Sequence, residues 1–247
     1  MTIQNIYDDP NFFKGYKTLR ENKSGFNDTL EQPALRSLLP ALSGKNILDT
    51  GCGFGDFCRY AIQQGAHSVT GIDPSQNMLN IAKRENTHNN IHYHCVPVEL
   101  YQSEQNQFDL VVSSLAFHYV ENFSAIISKI YAWLKPQGQL VFSVEHPICT
   151  AHPAATLGED ENGKFHPVYN YRDEKAFEQK WFVEGVKKYH RIISSYINTL
   201  LSQGFFIKKI LEPMPTDEQI KTTPAFALHK IRPPLLMVSA VKISHEN

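Results

Sequence analysis

An α/β domain, with a mostly parallel sheet covered by helices on both faces, is the fold class the sequence predicts, and three observations predict it. From residue 46 onward, short apolar runs alternate with runs of helical period, the pattern of strands joined by crossover helices. The first of these runs, Ile47-Leu48-Asp49-Thr50, enters Gly51-Cys52-Gly53-Phe54-Gly55, where a strand turns sharply into a helix and glycine tolerates the positive φ this needs. The 247 residues, 42% of them hydrophobic, are enough to bury one large core, so one domain is expected over 1–247.

Each element follows from its local pattern. Residues 1–44 precede the alternating region and read as a helical lid, with Phe12, Phe13, Tyr16 and Leu19 on one apolar face. Asn46 to Thr50 is strand one, and Phe57, Cys58, Ala61 and Ile62 give the helix after the glycine turn its apolar side. Ser68 to Asp73 is strand two. Pro74-Ser75 then opens a helix carrying Met78, Leu79 and Ala82, with Ser75 as its N-cap. Ile91, Tyr93 and Cys95 alternate with His92 and His94, as in a half-exposed edge strand, whereas the continuous run Phe108 to Ser113 suits a buried central one.

Phe123, Ile126, Ile127, Ile130, Tyr131 and Leu134 follow helical spacing, and Pro136 with Gly138 is expected to stop that helix before the strand Leu140 to Val144. Residues 45–145 thus form the core of the domain. Residues 146–188, with His146-Pro147, His152-Pro153 and His166-Pro167, show no clean period and read as an insertion able to cover a substrate pocket. Over 189–247 a helix through Ile192, Ile193, Tyr196, Ile197, Leu200 and Leu201 ends at Gly204. Strands at Phe205 to Leu211 and Leu235 to Val241 bring the count to seven.

The carboxylate of Asp49 decides what the glycine turn can serve. A dinucleotide site wants G-x-G-x-x-G and holds pyrophosphate on a helix N-terminus, where a buried acid would repel it; here the third glycine falls one position early. A P-loop needs Lys-Ser or Lys-Thr after its last glycine, and Gly55 is followed by Asp56. S-adenosylmethionine has no phosphate, and its sulfonium and α-amino groups are positive, so a carboxylate there attracts it. The pattern D-x-G-x-G-x-G after a strand resembles the first motif of class I S-adenosylmethionine-dependent methyltransferases. With Asp73, Phe108-Asp109 and Leu134-Lys135-Pro136-Gln137-Gly138, the stretch from Gly44 to Glu145 is similar to the small-molecule (type 11) methyltransferase domain of ubiquinone and menaquinone biosynthesis. Gln137 stands where that family usually has a glycine. The resemblance implies a Rossmann-like sheet of seven strands with the last antiparallel, S-adenosylmethionine as cofactor and S-adenosylhomocysteine as its product.

Candidate cofactor residues are Asp49, Gly51, Cys52, Gly53 and Gly55 of the first motif, then Asp73, Pro74, Glu99 and Ser113. Asp73 closes strand two 24 positions after Asp49, where an acid can bond both ribose hydroxyls; the spacing also fits NAD, and a helix-capping aspartate is the competing reading. Glu99 follows strand three, where the resemblance implies an acid near the adenine amino group, although the usual acid pair is Pro97-Val98-Glu99 here. Ser113 and Ser114 end strand four at the carboxyl edge, where ligands bind in open α/β sheets. His118, just beyond, is the residue type that takes a proton near neutrality, and Glu145 ends strand five at the same edge. These two are the catalytic candidates, either to deprotonate an acceptor or to orient it. Tyr7, Tyr16 and Arg20 could close over a ligand, but packing within the lid is the preferred reading.

The His-Pro pairs are taken as loop residues and no metal is expected. Cys52, Cys58, Cys95 and Cys149 have no C-x-x-C spacing and suit a reducing compartment. A net charge of −1 gives no global field for nucleic acid, and neither a leader nor an apolar run of the roughly 18 residues that span a bilayer is evident, so a cytoplasmic protein without membrane contact is expected. The leading expectation is S-adenosylmethionine-dependent SN2 methyl transfer to N, O, S or C of a small molecule. The alternatives are an NAD-dependent oxidoreductase, a non-catalytic cofactor-binding subunit and a macromolecular acceptor. Neither the acceptor nor the oligomeric state is fixed by the residues.

Overall fold

The computed structural model describes residues 3–21, 25–152 and 157–243; Met1, Thr2 and the Pro153 of the second His-Pro pair lie outside them. The N-terminal segment is helical. A 3-10 turn at Ile6–Asp8 leads into α1 (Pro10–Glu21), started by Asp9, whose Oδ1 accepts from the amides of Asn11 and Phe12 at 2.9 Å each. A π-helical turn at Asn27–Glu31 runs on into α2 (Gln32–Arg36), which buries Leu35 against the sheet.

The core then alternates. β1 (Asn46–Thr50) is followed by α3 (Asp56–Gln63), β2 (Ser68–Asp73) by α4 (Gln76–Glu85), and β3 (Ile91–Cys95) by β4 (Phe108–Ser114). Ser75 caps α4 as expected, its Oγ accepting from Met78 N at 3.1 Å. After α5 (Phe123–Trp133) comes β5 (Leu134–Glu145). The helix therefore ends three residues before Pro136 rather than at it. Proline disfavours the helical region for the residue before it, and Leu134 is already extended and paired with Phe108. The Pro136-Gln137-Gly138 turn lies within the strand, with Gln137 at φ 64°.

The insertion has more regular structure than its sequence suggests. It holds α6 (Pro147–Ala151) and two hairpins, β6 (Gly158–Asp160) with β7 (Gly163–Phe165) and β8 (Ala176–Trp181) with β9 (Val183–Tyr189). The chain closes with α7 (Ile193–Gln203), β10 (Phe205–Leu211), α8 (Asp217–Thr222), α9 (Leu228–Ile231) and β11 (Leu235–Lys242).

The main sheet has seven strands in the order β10-β11-β5-β4-β1-β2-β3, with β11, the last in sequence, antiparallel to both neighbours. Side chains of one strand alternate between two cores: Leu48 and Val111 meet Ile127, Ile130 and Leu200 of α5 and α7, while Ile47 and Leu110 meet Leu35, Ala61 and Leu79 on the opposite face. Each buried Leu or Ile contributes roughly 1.5–3 kcal/mol, so both helical layers are fixed by the sheet. β3 is one edge and β10 the other; in β3 Ile91 is buried, Tyr93 half-buried and Cys95 exposed. This arrangement leaves the carboxyl ends of β1, β2, β4 and β5 side by side beneath the N-terminal helices.

Candidate active site

A cleft of about 220 Å³ runs along those strand ends and is roofed by Tyr7, Tyr16, Leu19 and Arg20 from the N-terminal segment. Its floor begins at the glycine turn. Gly51, Gly53 and Gly55 all have positive φ, and at Gly51 (φ 75°) a Cβ would stand 2.6 Å from Ala116 Cβ across the cleft. Four amides of this turn are spent internally: Gly51 N and Cys52 N donate to Ile72 O, Gly53 N to Asp73 Oδ2 and Gly55 N to Cys52 O, all within 3.0 Å. These four N–H groups are therefore not offered to a phosphate, which is how a dinucleotide turn would use them.

What the turn presents instead is negative charge. Asp49 is buried at the end of β1, with Oδ2 accepting from the Cys58 thiol at 3.4 Å, and burial raises its pKa to about 7 against the pull of that bond, helped by the charges of Asp73, Glu31 and Asp56. Asp73, buried at the end of β2, is raised to about 6 by burial although its Oδ1 accepts from Ser75 N and its Oδ2 from Gly53 N, both at 2.9 Å. Arg20 is the single arginine or lysine among the described residues lining the cleft. It reaches Asp56 at 3.3 Å and Asp28 at 3.6 Å, and its Nη1 has no hydrogen-bond acceptor.

Cys52, Pro74 and Glu99 also line the cleft, Glu99 with its carbonyl held by Lys129 Nζ at 2.6 Å. Two residues of the predicted set stand back from it. Gly55 is the N-cap of α3, wedged so that a Cβ would lie 2.2 Å from the Tyr93 hydroxyl. Ser113 is wholly buried in β4, with its Oγ unpartnered, and the next residue, Ser114, faces the cleft in its place. The strand alternates faces, so a shift of one residue exchanges them.

Beyond β4 the cleft changes character. His118 is buried and pushed down to about pKa 3, chiefly by burial and further by Lys188 and Arg191 against the opposing charge of Glu145; its Nδ1 accepts from Glu145 N at 3.4 Å. A neutral His118 fits this environment. Glu145 forms an ion pair, through Oε1, with the buried ammonium of Lys188. Its carboxyl is held below the usual range against its burial, the charge and hydrogen bond of the Lys188 ammonium among the causes. Tyr7 and Tyr16 do both things the sequence allows, lining the cleft while packing edge-on to one another at 5.1 Å.

Sequence reasoning missed Glu31 and Lys188. Glu31 is fully buried, with Oε1 accepting from Ser143 Oγ at 2.7 Å and Ser114 Oγ at 2.9 Å, and no sequence signal marks it because those partners lie 83 and 112 residues away. Lys188 did leave a signal, since a period of two puts it on the same face of β9 as the buried Val186. Two histidines of the insertion have protein partners: His146 Nε2 meets Glu212 at 2.7 Å and His166 Nε2 meets Ile148 O at 3.4 Å. Among the described residues no group of three or more His, Cys, Asp or Glu side chains is placed to hold a metal, and no helix is long and apolar enough to cross a membrane.

Comparison with known proteins places these features in a family. Residues 48–142 match the family model described as a methyltransferase domain. An uncharacterized protein of Haemophilus influenzae is 36% identical over 96% of this chain and 97% of its own length. The crystal structure of an S-adenosylmethionine dependent methyltransferase from Mesorhizobium loti superposes with a TM-score of 0.81 at 39% identity, covering 85% of this chain and 97% of that one. A ubiquinone biosynthesis O-methyltransferase of Coxiella burnetii is 34% identical over 41% of this chain and 44% of its own length, so that likeness spans less than half of either protein.

Proposed function

Because the chain belongs to the S-adenosylmethionine-dependent methyltransferases, we propose that this cleft binds S-adenosylmethionine over β1 and β2 and methylates a small molecule held over β4 and β5. One observation carries the donor half of that reading: four of the turn's amides are spent, and two buried carboxylates, Asp49 and Asp73, face the cleft with pKa values raised by that burial. A cationic ligand relieves that strain, and a pyrophosphate would add to it. The same observation favours this donor over NAD.

The residues divide the work. Asp73, with hydrogen bonds from two amides orienting its carboxylate, keeps lone pairs for ribose hydroxyls; Glu99, which lines the cleft past β3, suits the adenine end; Arg20, whose Nη1 lies 3.6 Å from Asp28 without a hydrogen bond to it, suits the donor's carboxylate. The sulfonium supplies an already activated methyl group. With the donor bound, a lone pair of the acceptor would form the new bond to the methyl carbon as the carbon–sulfur bond breaks, that electron pair would stay on sulfur, and the surplus proton of an N–H or O–H acceptor would be lost to solvent as the product leaves. The protein's contribution is alignment and exclusion of water, to which the aromatic roof of Tyr7 and Tyr16 is suited. Neutral His118 and ionised Glu145 are placed to orient the acceptor, and the acidic carboxyl of Glu145 makes orientation a better role than proton abstraction. The part-length likeness to a ubiquinone biosynthesis enzyme supports a small acceptor.

Isothermal titration with S-adenosylmethionine and S-adenosylhomocysteine tests the donor, with micromolar binding of both expected. Absence of both, or tighter binding of NADH, would falsify the reading.

A further inference from the structure

The half of the cleft over β4 and β5 is unlike the half over β1 and β2, and its fixed charge is unusually simple. It is walled by Tyr7, His118, Tyr119, Glu145 and Trp181. The Tyr7 and Tyr119 hydroxyls lie 3.5 Å apart, and burial pushes both well above the usual phenol range, so neither carries charge. His118 is held neutral by its burial. Three cations stand near, and each is withdrawn from the cavity. Lys188 lies beneath the wall, 1% exposed, its ammonium on Glu145 Oε1 and flanked by the Tyr119 and Trp181 rings at 5.5 and 5.3 Å. The Arg191 guanidinium is spent on the carbonyls of Phe117, Val120 and Glu121. Arg232 acts on Glu145 only electrostatically and does not line the cleft. Among the described residues no donor reaches Glu145 Oε2.

We infer that the acceptor is a small molecule, uncharged or cationic near its reacting atom, that presents an N–H or O–H donor to Glu145 Oε2, and that Lys188 is the positioning residue that fixes this carboxylate. The inference rests on the methyl-transfer reading and deepens it by naming the acceptor's class. An amine or hydroxyl gains a charge-assisted bond to a carboxylate that is already oriented, while the aromatic walls favour a cation further. A carboxylate or phosphate in the same place meets Glu145 with no free countercharge, so it is rejected by repulsion as well as by lack of a partner. Lys188 acts through Glu145 in two ways. It occupies Oε1, which leaves Oε2 as the oxygen available to ligand, and it keeps the carboxylate ionised in a setting whose burial favours the acid.

The test uses the full chain saturated with S-adenosylhomocysteine and a size-matched set of probes: 2-phenylethylamine, 2-phenylethanol, phenylacetate and phenyl phosphate. Calorimetry should show the amine and alcohol binding at least about tenfold more tightly than either anion. Glu145→Gln should erase the gap between amine and anions while leaving S-adenosylhomocysteine affinity unchanged. Lys188→Met, which keeps the stem without the charge, should make amine affinity fall as pH drops from 7 to 5, where the wild type is flat. A purely structural Lys188 would not introduce that pH dependence. Equal or tighter binding of the anions, or a preference for the amine that survives Glu145→Gln, overturns the inference. Loss of S-adenosylhomocysteine binding in the unmodified protein would instead count against the methyl-transfer reading itself.

Discussion

Replacing Asp49 by Asn should make the ligand-free protein more stable while it abolishes cofactor binding. The Asp49 carboxyl titrates near 3.8 when the chain is unfolded and at about 7 when folded, because it is buried. Between those values the folded state holds a proton the unfolded state lacks, so stability falls as pH rises from about 4 to about 7, by a ceiling of about 4 kcal/mol. Asn removes that penalty, but its amide hydrogens are buried where only the Cys58 thiol is a known neighbour, so roughly half the ceiling, about 2 kcal/mol, is the expected gain. For a chain of this length that raises Tm by roughly 4–8 °C at pH 8. Wild-type affinity for S-adenosylmethionine should fall about tenfold between pH 8 and pH 6 as Asp49 protonates, and the neutral thioether product should show a shallower slope. Differential scanning calorimetry and titration at both pH values measure the two effects. An Asp49→Asn protein with unchanged or lowered Tm and retained binding would refute the reasoning.

Three further outcomes follow from particular contacts. Arg20→Gln should weaken S-adenosylhomocysteine by about 10- to 100-fold, the scale of a charge-assisted bond, yet leave 5′-methylthioadenosine, which has no carboxylate, unaffected; equal losses for both would show that Arg20 only shapes the roof. Gly51→Ala places a Cβ 2.6 Å from Ala116 at positive φ, and should cost about 2–4 kcal/mol together with most cofactor affinity; a native Tm would show the turn can relax. Lys188→Ala leaves a half-buried Glu145 without its partner, so a loss of about 1–2 kcal/mol is expected at pH 8, shrinking at pH 5 as Glu145 takes a proton; chemical denaturation at the two pH values measures it.

The sheet was legible because its strands carry their own period. Ile47-Leu48 and Leu110-Val111-Val112 read as buried strands, and the turn between β1 and α3 announced itself through glycines whose positive φ is now explicit. Signals that act over a few residues, such as the Ser75 cap, also survived folding unchanged. What escaped was set by partners distant in sequence. Glu31 lies in a segment with no helical period, and only the meeting of β4, β5 and the N-terminal helices explains a fully buried acid there. The hairpins of the insertion were unreadable for a related reason: β8 is exposed at every second residue and half-buried at the rest, so it has little apolar contrast. The choice between Ser113 and Ser114 turned on which face of one strand meets the cleft, a matter of register that a run of buried residues does not reveal.

Gln4 and Lys187 make a pair of bonds usually exchanged between two backbones: the Gln4 side-chain amide donates to Lys187 O at 3.2 Å and accepts from Lys187 N at 2.7 Å. A side chain thus stands in for a missing β-strand and fastens the first described residues of the chain to β9, one position before Lys188. The N-terminal wall of the cleft and the wall from β8 and β9 are held together by this pair beside the rings of Phe12 and Tyr16 on Trp181, and one backbone amide proton sits within the pair. Its exchange with solvent deuterium would be a clock for how often this pair opens, readable without knowing what the cleft holds.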